Sequence, residues 1–185
     1  MERTTEIMLE TLEEAFNIVN GGTQAEGAGT QKIKYTDSGE LEIKADGDIE
    51  CVQTRESYSL PLRIDMTAKT DSTNIRLFYH LGEIVLNWEE CPDELQVNDI
   101  LLGIEYEYDG KGSIPIDEYV DISWVIGKRY MDIFVNGGLR HHEISYPYMN
   151  LLKNVPNRKV SAPVRIAAAW GSTITIKSLQ ITELE

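Results

Sequence analysis

A chain of 185 residues with 31 acidic and 17 basic side chains carries a formal charge of −14. Such a surface repels phosphate backbones and anionic lipid, which argues against nucleic acid and against a membrane surface as partners. At this length one core can bury roughly 70% of the unfolded surface without help from a disulfide or a metal, so a single domain over residues 1–185 is expected.

Residues 5–19 read two ways. Met8, Leu12, Ala15, Phe16 and Val19 keep helical spacing, while Ile7-Met8-Leu9 and Phe16-Asn17-Ile18-Val19 also read as short strands. The small-residue stretch Asn20 to Thr30 reads as a loop. The N-terminus shows neither the basic nor the apolar region of a signal peptide, and no run of eighteen apolar residues occurs. A cytoplasmic location is therefore expected for the chain as given, and an extracellular one if a leader was removed.

From Gln31 onward the pattern is that of strands. Lys32–Tyr35 leads into the Asp37-Ser38-Gly39 turn, and Leu41–Lys44 ends at Asp46-Gly47-Asp48, read as a hairpin turn. Glu50–Thr54 is a further strand. Leu62, Ile64, Met66 and Ala68 then share one face and Arg63, Asp65, Thr67 and Lys69 the other. In the next hairpin Ile75, Leu77 and Tyr79 alternate with Arg76, Phe78 and His80. Leu81-Gly82 forms the bend, and the return strand carries Ile84, Leu86 and Trp88. Leu95-Gln96-Val97 and Leu101–Tyr108 follow, separated by polar segments and turns.

The segment Ile116–His142 holds the clearest alternation. Val120, Ile122, Trp124 and Ile126 face Met131, Ile133 and Val135 on the return strand, which ends at Asn136-Gly137-Gly138, and Leu139–Ser145 makes a third strand. Residues 146–162 read mostly as loop. Val164, Ile166, Ala168 and Trp170 share the buried phase of the next strand. Thr173–Leu184 closes the chain with a phase shift near Ser178 that predicts a bulge. Roughly a dozen strands, no repeat and no linker predict an all-β, two-sheet antiparallel sandwich, with a short N-terminal helix as the alternative at its start.

Two stretches resemble a known family: Glu118–Trp124 followed by Met131–Gly138, and the C-terminal run Ile174–Ile181. They are similar to the concanavalin A-like lectin/glucanase jelly-roll superfamily, which includes laminin G-like modules. The resemblance runs from about residue 31 to the end. It implies a last strand returning beside the first, and a function in binding or hydrolysing glycans. It implies no particular ligand, because the fold hosts many functions.

Glucanases of this fold carry the spacing ExDxxE, whose two glutamates serve as nucleophile and acid/base. That spacing is absent, so nothing in the sequence specifies a catalytic residue. Glu105, Glu107 and Asp109 share a strand face at the wrong spacing and read as a solvated face. The polar face of the Asn74–Trp88 hairpin is the better candidate. Arg76, His80 and Asn87 would project together, supplying a cationic fork, an imidazole and an amide for sugar hydroxyls, and Phe78 an apolar platform. Trp88 and Trp170 end their strands beside loops, where either could stack on a sugar, although all three tryptophans fall in the buried phase. The expected ligand-binding set is therefore Arg76, Phe78, His80, Asn87 and Trp88.

His141 and Glu143 share a strand face, but His142 points away and no third metal ligand is evident. Asp46-Gly47-Asp48 lacks the remaining ligands of an EF-hand. No cofactor is expected, and a structural calcium stands only as a minor alternative. Cys51 and Cys91 form no CxxC pair and read as reduced thiols, a disulfide being the lesser alternative. The leading expectation is a lectin-like, non-catalytic carbohydrate-binding module with an oligosaccharide or polysaccharide partner. The alternatives are a divergent glycoside hydrolase and a protein-interaction or sensor domain.

Overall fold

The structure is a computed structural model that describes residues 3–7, 16–20, 23–24, 32–99, 104–128, 130–144 and 160–185. Two antiparallel sheets of eight described strands each pack face to face. The first runs in the order β15 (Gly138–Glu143), β14 (Met131–Val135), β13 (Val120–Ile126), β8 (Leu62–Thr70), β18 (Thr173–Glu183), β5 (Leu41–Lys44) and β4 (Ile33–Tyr35), and β1 (Arg3–Ile7) also pairs with β18. The second runs β12 (Ile104–Tyr108), β11 (Leu95–Asp99), β10 (Gly82–Leu86), β9 (Ile75–Tyr79), β17 (Val164–Ala168), β6 (Glu50–Thr54), β2 (Phe16–Asn20) and β3 (Thr23–Gln24). A short ribbon joins β7 (Tyr58–Ser59) to β16 (Ser161–Ala162).

Alternation drives each sheet. In β8 the inward residues Leu62, Ile64, Met66 and Ala68 are buried, while Arg63 between them is exposed and Asp65 and Thr67 are partly so. In β13, Val120, Ile122, Trp124 and Ile126 alternate in the same way. Trp124 is opposite Ile64 on one side and Ile133 on the other, so the largest fully buried side chain sits in the middle of the first sheet. Each inward side chain contributes roughly 1.5–3 kcal/mol by leaving water. Ile75, Leu77, Tyr79, Ile84, Leu86, Val164 and Ile166 meet this layer from the second sheet in one continuous core.

β1 lies antiparallel to the end of β18, so the first and last strands of the chain are neighbours. The β18 register shifts between Ile176 and Ser178, where the phase change in the sequence predicts a bulge. At the β14–β15 bend Asn136 and Gly137 both have positive φ, 51° and 74°, the geometry of a tight hairpin turn that suits Asn-Gly.

Of the two readings left open for the N-terminus, the described parts, β1 and β2, take the strand one, pairing with β18 and β6. Met8, Leu12 and Ala15 lie outside the described residues. Asp46-Gly47-Asp48 is not a hairpin turn but the passage from β5 in the first sheet to β6 in the second, with Lys32 bridging Asp46 and Glu50 beside it. Trp170 is not buried but 53% exposed, because the chain leaves β17 after Ala168 and Trp170 adopts φ 54° in the turn.

Candidate functional site

The outward side of the second sheet carries two cross-strand rows. Glu105, Asn98, Glu83, Phe78, Arg165 and Gln53 stand opposite one another across six strands in one row. Glu107, Gln96, Val85, Arg76, Ala167 and Cys51 form the next. At about 4.8 Å per strand, each row extends roughly 24 Å. Period-2 alternation places these residues outward because their neighbours Leu77, Ile84, Val97 and Ile166 are taken by the core.

Arg76 is the hub of this face. Its Nη1 donates to Glu83 Oε1 at 2.8 Å and its Nη2 to Glu89 Oε2 at 2.9 Å, while Nε donates to Asn74 Oδ1 at 3.0 Å. Glu83 Oε2 accepts from Asn98 Nδ2 at 2.8 Å, and the same Nδ2 reaches Gln96 Oε1 at 3.3 Å. Asn98 Oδ1 is buried and accepts no hydrogen bond. Next to this network Arg165 lies 4.7 Å from the centre of the Phe78 ring, a cation–π contact that holds the ring in the row. Burial pushes the Cys51 thiol up to about 12, partly opposed by Arg165, so this sulfur is a small apolar side chain and not a nucleophile.

The five residues expected from sequence separate here. Arg76 and Phe78 lie on the outward side of the sheet, two residues apart, but neither is open to a ligand: both are only 7% exposed, Arg76 is held by Glu83, Glu89 and Asn74, and Arg165 covers the Phe78 ring. His80 does not join them. It is exposed, has φ 53°, and sits in the two-residue turn His80-Leu81 between Tyr79 and Gly82, which are paired. Asn87 is at the opposite end of the hairpin, next to Leu86, whose partner is Ile75. The length of the hairpin, roughly 16 Å, keeps the two apart. Asn87 is also committed elsewhere: its amide donates to the Ile114 and Ser72 carbonyls and accepts from the Ile114 N–H at 2.8 Å. Trp88 is partly buried directly after it.

Glu83, Gln96, Asn98 and Arg165 escaped the sequence reading. Their outward parity was legible, but their adjacency depends on β10 pairing with β11 and on β9 pairing with β17, nearly 90 residues later. Trp170 is tied to the same end of the sheet. Asn74, which carries Arg76 Nε on its Oδ1, donates from Nδ2 to the carbonyl of Ala169 at 3.2 Å, and Ser172 Oγ donates to that carbonyl at 2.7 Å. The exposed indole follows in the next residue.

No family model and no curated protein matches this chain. Solved structures do. The Bacillus licheniformis β-glucanase superposes with a TM-score of 0.69 at 10% identity, over 100% of this chain and 98% of that one. An endo-β-1,3-glucanase from Pyrococcus furiosus gives 0.64 at 12% identity, over 97% and 93%. The carbohydrate-binding module CBM66 from Bacillus subtilis gives 0.61 at 10% identity, over 90% and 94%. The fold is the concanavalin A-like jelly roll.

Within this jelly roll the two neighbouring histidines of β15 face different partners. His141 Nε2 faces Glu143 Oε2 at 3.5 Å and its ring lies 4.0 Å from that of Tyr108, while His142 pairs with Asp132 on the neighbouring strand. Among the described residues no group of three or more His, Cys, Asp or Glu side chains gathers as metal ligands would. Cys51 and Cys91 are both free thiols. Glu105 and Glu107 are exposed at the far end of the two outward rows.

Proposed function

We propose that this chain is a non-catalytic carbohydrate-binding module that takes a neutral oligosaccharide along the outward face of its second sheet. The observation that carries this reading is the exposed indole of Trp170 at the end of this sheet, whose preceding carbonyl, that of Ala169, is tied through Asn74 to the buried network around Arg76. A pyranose ring supplies an apolar face for that indole. The carboxylates of Glu83, Glu89, Glu105 and Glu107 on or beside this face, in a chain of charge −14, favour a neutral glycan over an anionic one. The similar structures, two glucanases and a carbohydrate-binding module, are in keeping with a carbohydrate ligand.

The Arg76 bridge weighs against hydrolysis. A retaining or inverting glycosidase needs two carboxyl groups facing each other across the scissile bond, about 5 to 9.5 Å apart. Here the guanidinium stands between Glu83 and Glu89 and bonds to both. Isothermal titration of the full chain with laminarihexaose, a neutral β-1,3-linked glucose hexamer, and with a panel of other neutral oligosaccharides tests the reading. Saturable binding without release of reducing sugar is the expected result. Absence of binding to every neutral glycan, or turnover of any of them, would overturn it.

A further inference from the structure

We propose that the outward face of the first sheet holds a saccharide site of its own, separate from the one on the second sheet. This rests on the reading of the chain as a neutral-glycan binder, but on different residues. A depression of about 1010 Å³ lies on this face, lined among others by Asp65, Thr67, Asp121, Ser123, Phe134 and Gln180.

The fold makes the hollow. On its outer side β18 pairs with β5 as far as Ile176 and with β1 only from Leu179 onward. The register slip between Ile176 and Ser178 falls at this change of neighbour, which opens a fork in the sheet. Bulges of this kind re-aim a side chain and recur beside functional sites. Lys177, at the slip, lies 5.6 Å from the centre of the Tyr119 ring. Tyr119 in turn donates its hydroxyl to Glu40 at 2.8 Å and so braces one wall, the β4–β5 turn at Ser38, Gly39 and Glu40. Gly137, at the β14–β15 turn, lines the depression as well.

The chemistry on the floor suits a polyol. Ser123 Oγ donates to Asp65 Oδ1 and Thr67 Oγ1 to Asp121 Oδ1, each at 2.7 Å, two carboxylate–hydroxyl pairs set across β8 and β13. Each hydroxyl keeps a lone pair and each carboxylate a second oxygen, which can accept from sugar hydroxyls. Phe134 adds a planar apolar surface next to these acceptors. The lining holds three acids, Glu40, Asp65 and Asp121, against two bases, Arg63 and Lys177, and Arg63 is already paired with Asp65 at 2.8 Å. A ligand with an anionic group would meet more acid than base, so the ligand is a neutral oligosaccharide.

The test is titration of the isotope-labelled full chain with laminarihexaose, following backbone amide shifts, in the wild type and in Trp170→Ala, Phe134→Ala and Ser123→Ala. The inference requires that Asp65, Ser123 and Phe134 shift in the wild type and still shift in Trp170→Ala. Phe134→Ala and Ser123→Ala should each weaken that response by about tenfold while shifts on the second sheet persist. Shifts confined to the second sheet would overturn the inference and leave the proposed function standing. Shifts confined to the first sheet would support it and overturn the assignment of the other face. Shifts on neither face would overturn both.

Discussion

Arg76 and Glu83 meet across the β9–β10 hairpin at 2.8 Å with each side chain only 8% exposed. Removing one partner strands the other charge in a desolvated site. Arg76→Met should cost about 3–5 kcal/mol of unfolding free energy, and the double replacement Arg76→Met with Glu83→Gln clearly less than the sum of the two single changes. Urea titration of the four proteins in the cycle measures this. A strictly additive cycle would show that the pair is not coupled.

Asn87 serves as a clamp. Its side chain closes two hydrogen bonds with Ile114 and its N–H donates to the Gly112 carbonyl at 3.0 Å, with the backbone at φ 49°. Loss of the side-chain bonds in Asn87→Ala, which also places alanine at positive φ, should cost about 2–4 kcal/mol. A Cβ on Gly112 would lie 1.9 Å from the Glu94 carbonyl oxygen, so Gly112→Ala should destabilise the same loop. Neither change should alter glycan affinity well below the melting temperature, as read by calorimetry under native conditions.

Trp170 should separate binding from stability. Because its indole is 53% exposed, Trp170→Ala is expected to change unfolding free energy by no more than about 0.5 kcal/mol. Affinity for the neutral oligosaccharide on the second sheet should fall about tenfold, the loss of one stacking contact. Trp124, wholly buried, should behave in the opposite sense, with Trp124→Ala costing about 3–5 kcal/mol of stability.

The pH profile should carry a signature of His141. Burial against Tyr108 holds its imidazole below the ordinary histidine value, opposed by Glu143 and Asp132 and reinforced by His142. With the folded value depressed, the unfolded chain binds the proton more readily. The contribution is therefore complete above about pH 6.5 and is lost as the pH falls below it toward the folded value. His141→Phe, which keeps a ring on Tyr108, should flatten the denaturation midpoint between pH 7 and pH 5. An unchanged slope would assign the pH dependence to other groups.

Sequence by itself determined the architecture. A period of two in β8, β13 and β14 has one solution, a half-buried antiparallel strand, since slipping any of them by one residue would put Ile64, Trp124 or Ile133 into water. The phase break before Ser178 was legible for the same reason. Tertiary structure alone decided which outward residues are neighbours. Parity states the side a residue takes but not the strand beside it. Asn98, Glu83, Phe78 and Arg165 became one row only through pairings between segments far apart in the chain. It also decided against His80, which the register puts in the turn at the far end of the hairpin, and against Asn87, whose side chain is committed to Ile114 and Ser72. Trp170 left the buried phase because β17 stops at Ala168, and a strand's phase means nothing beyond its last pleat.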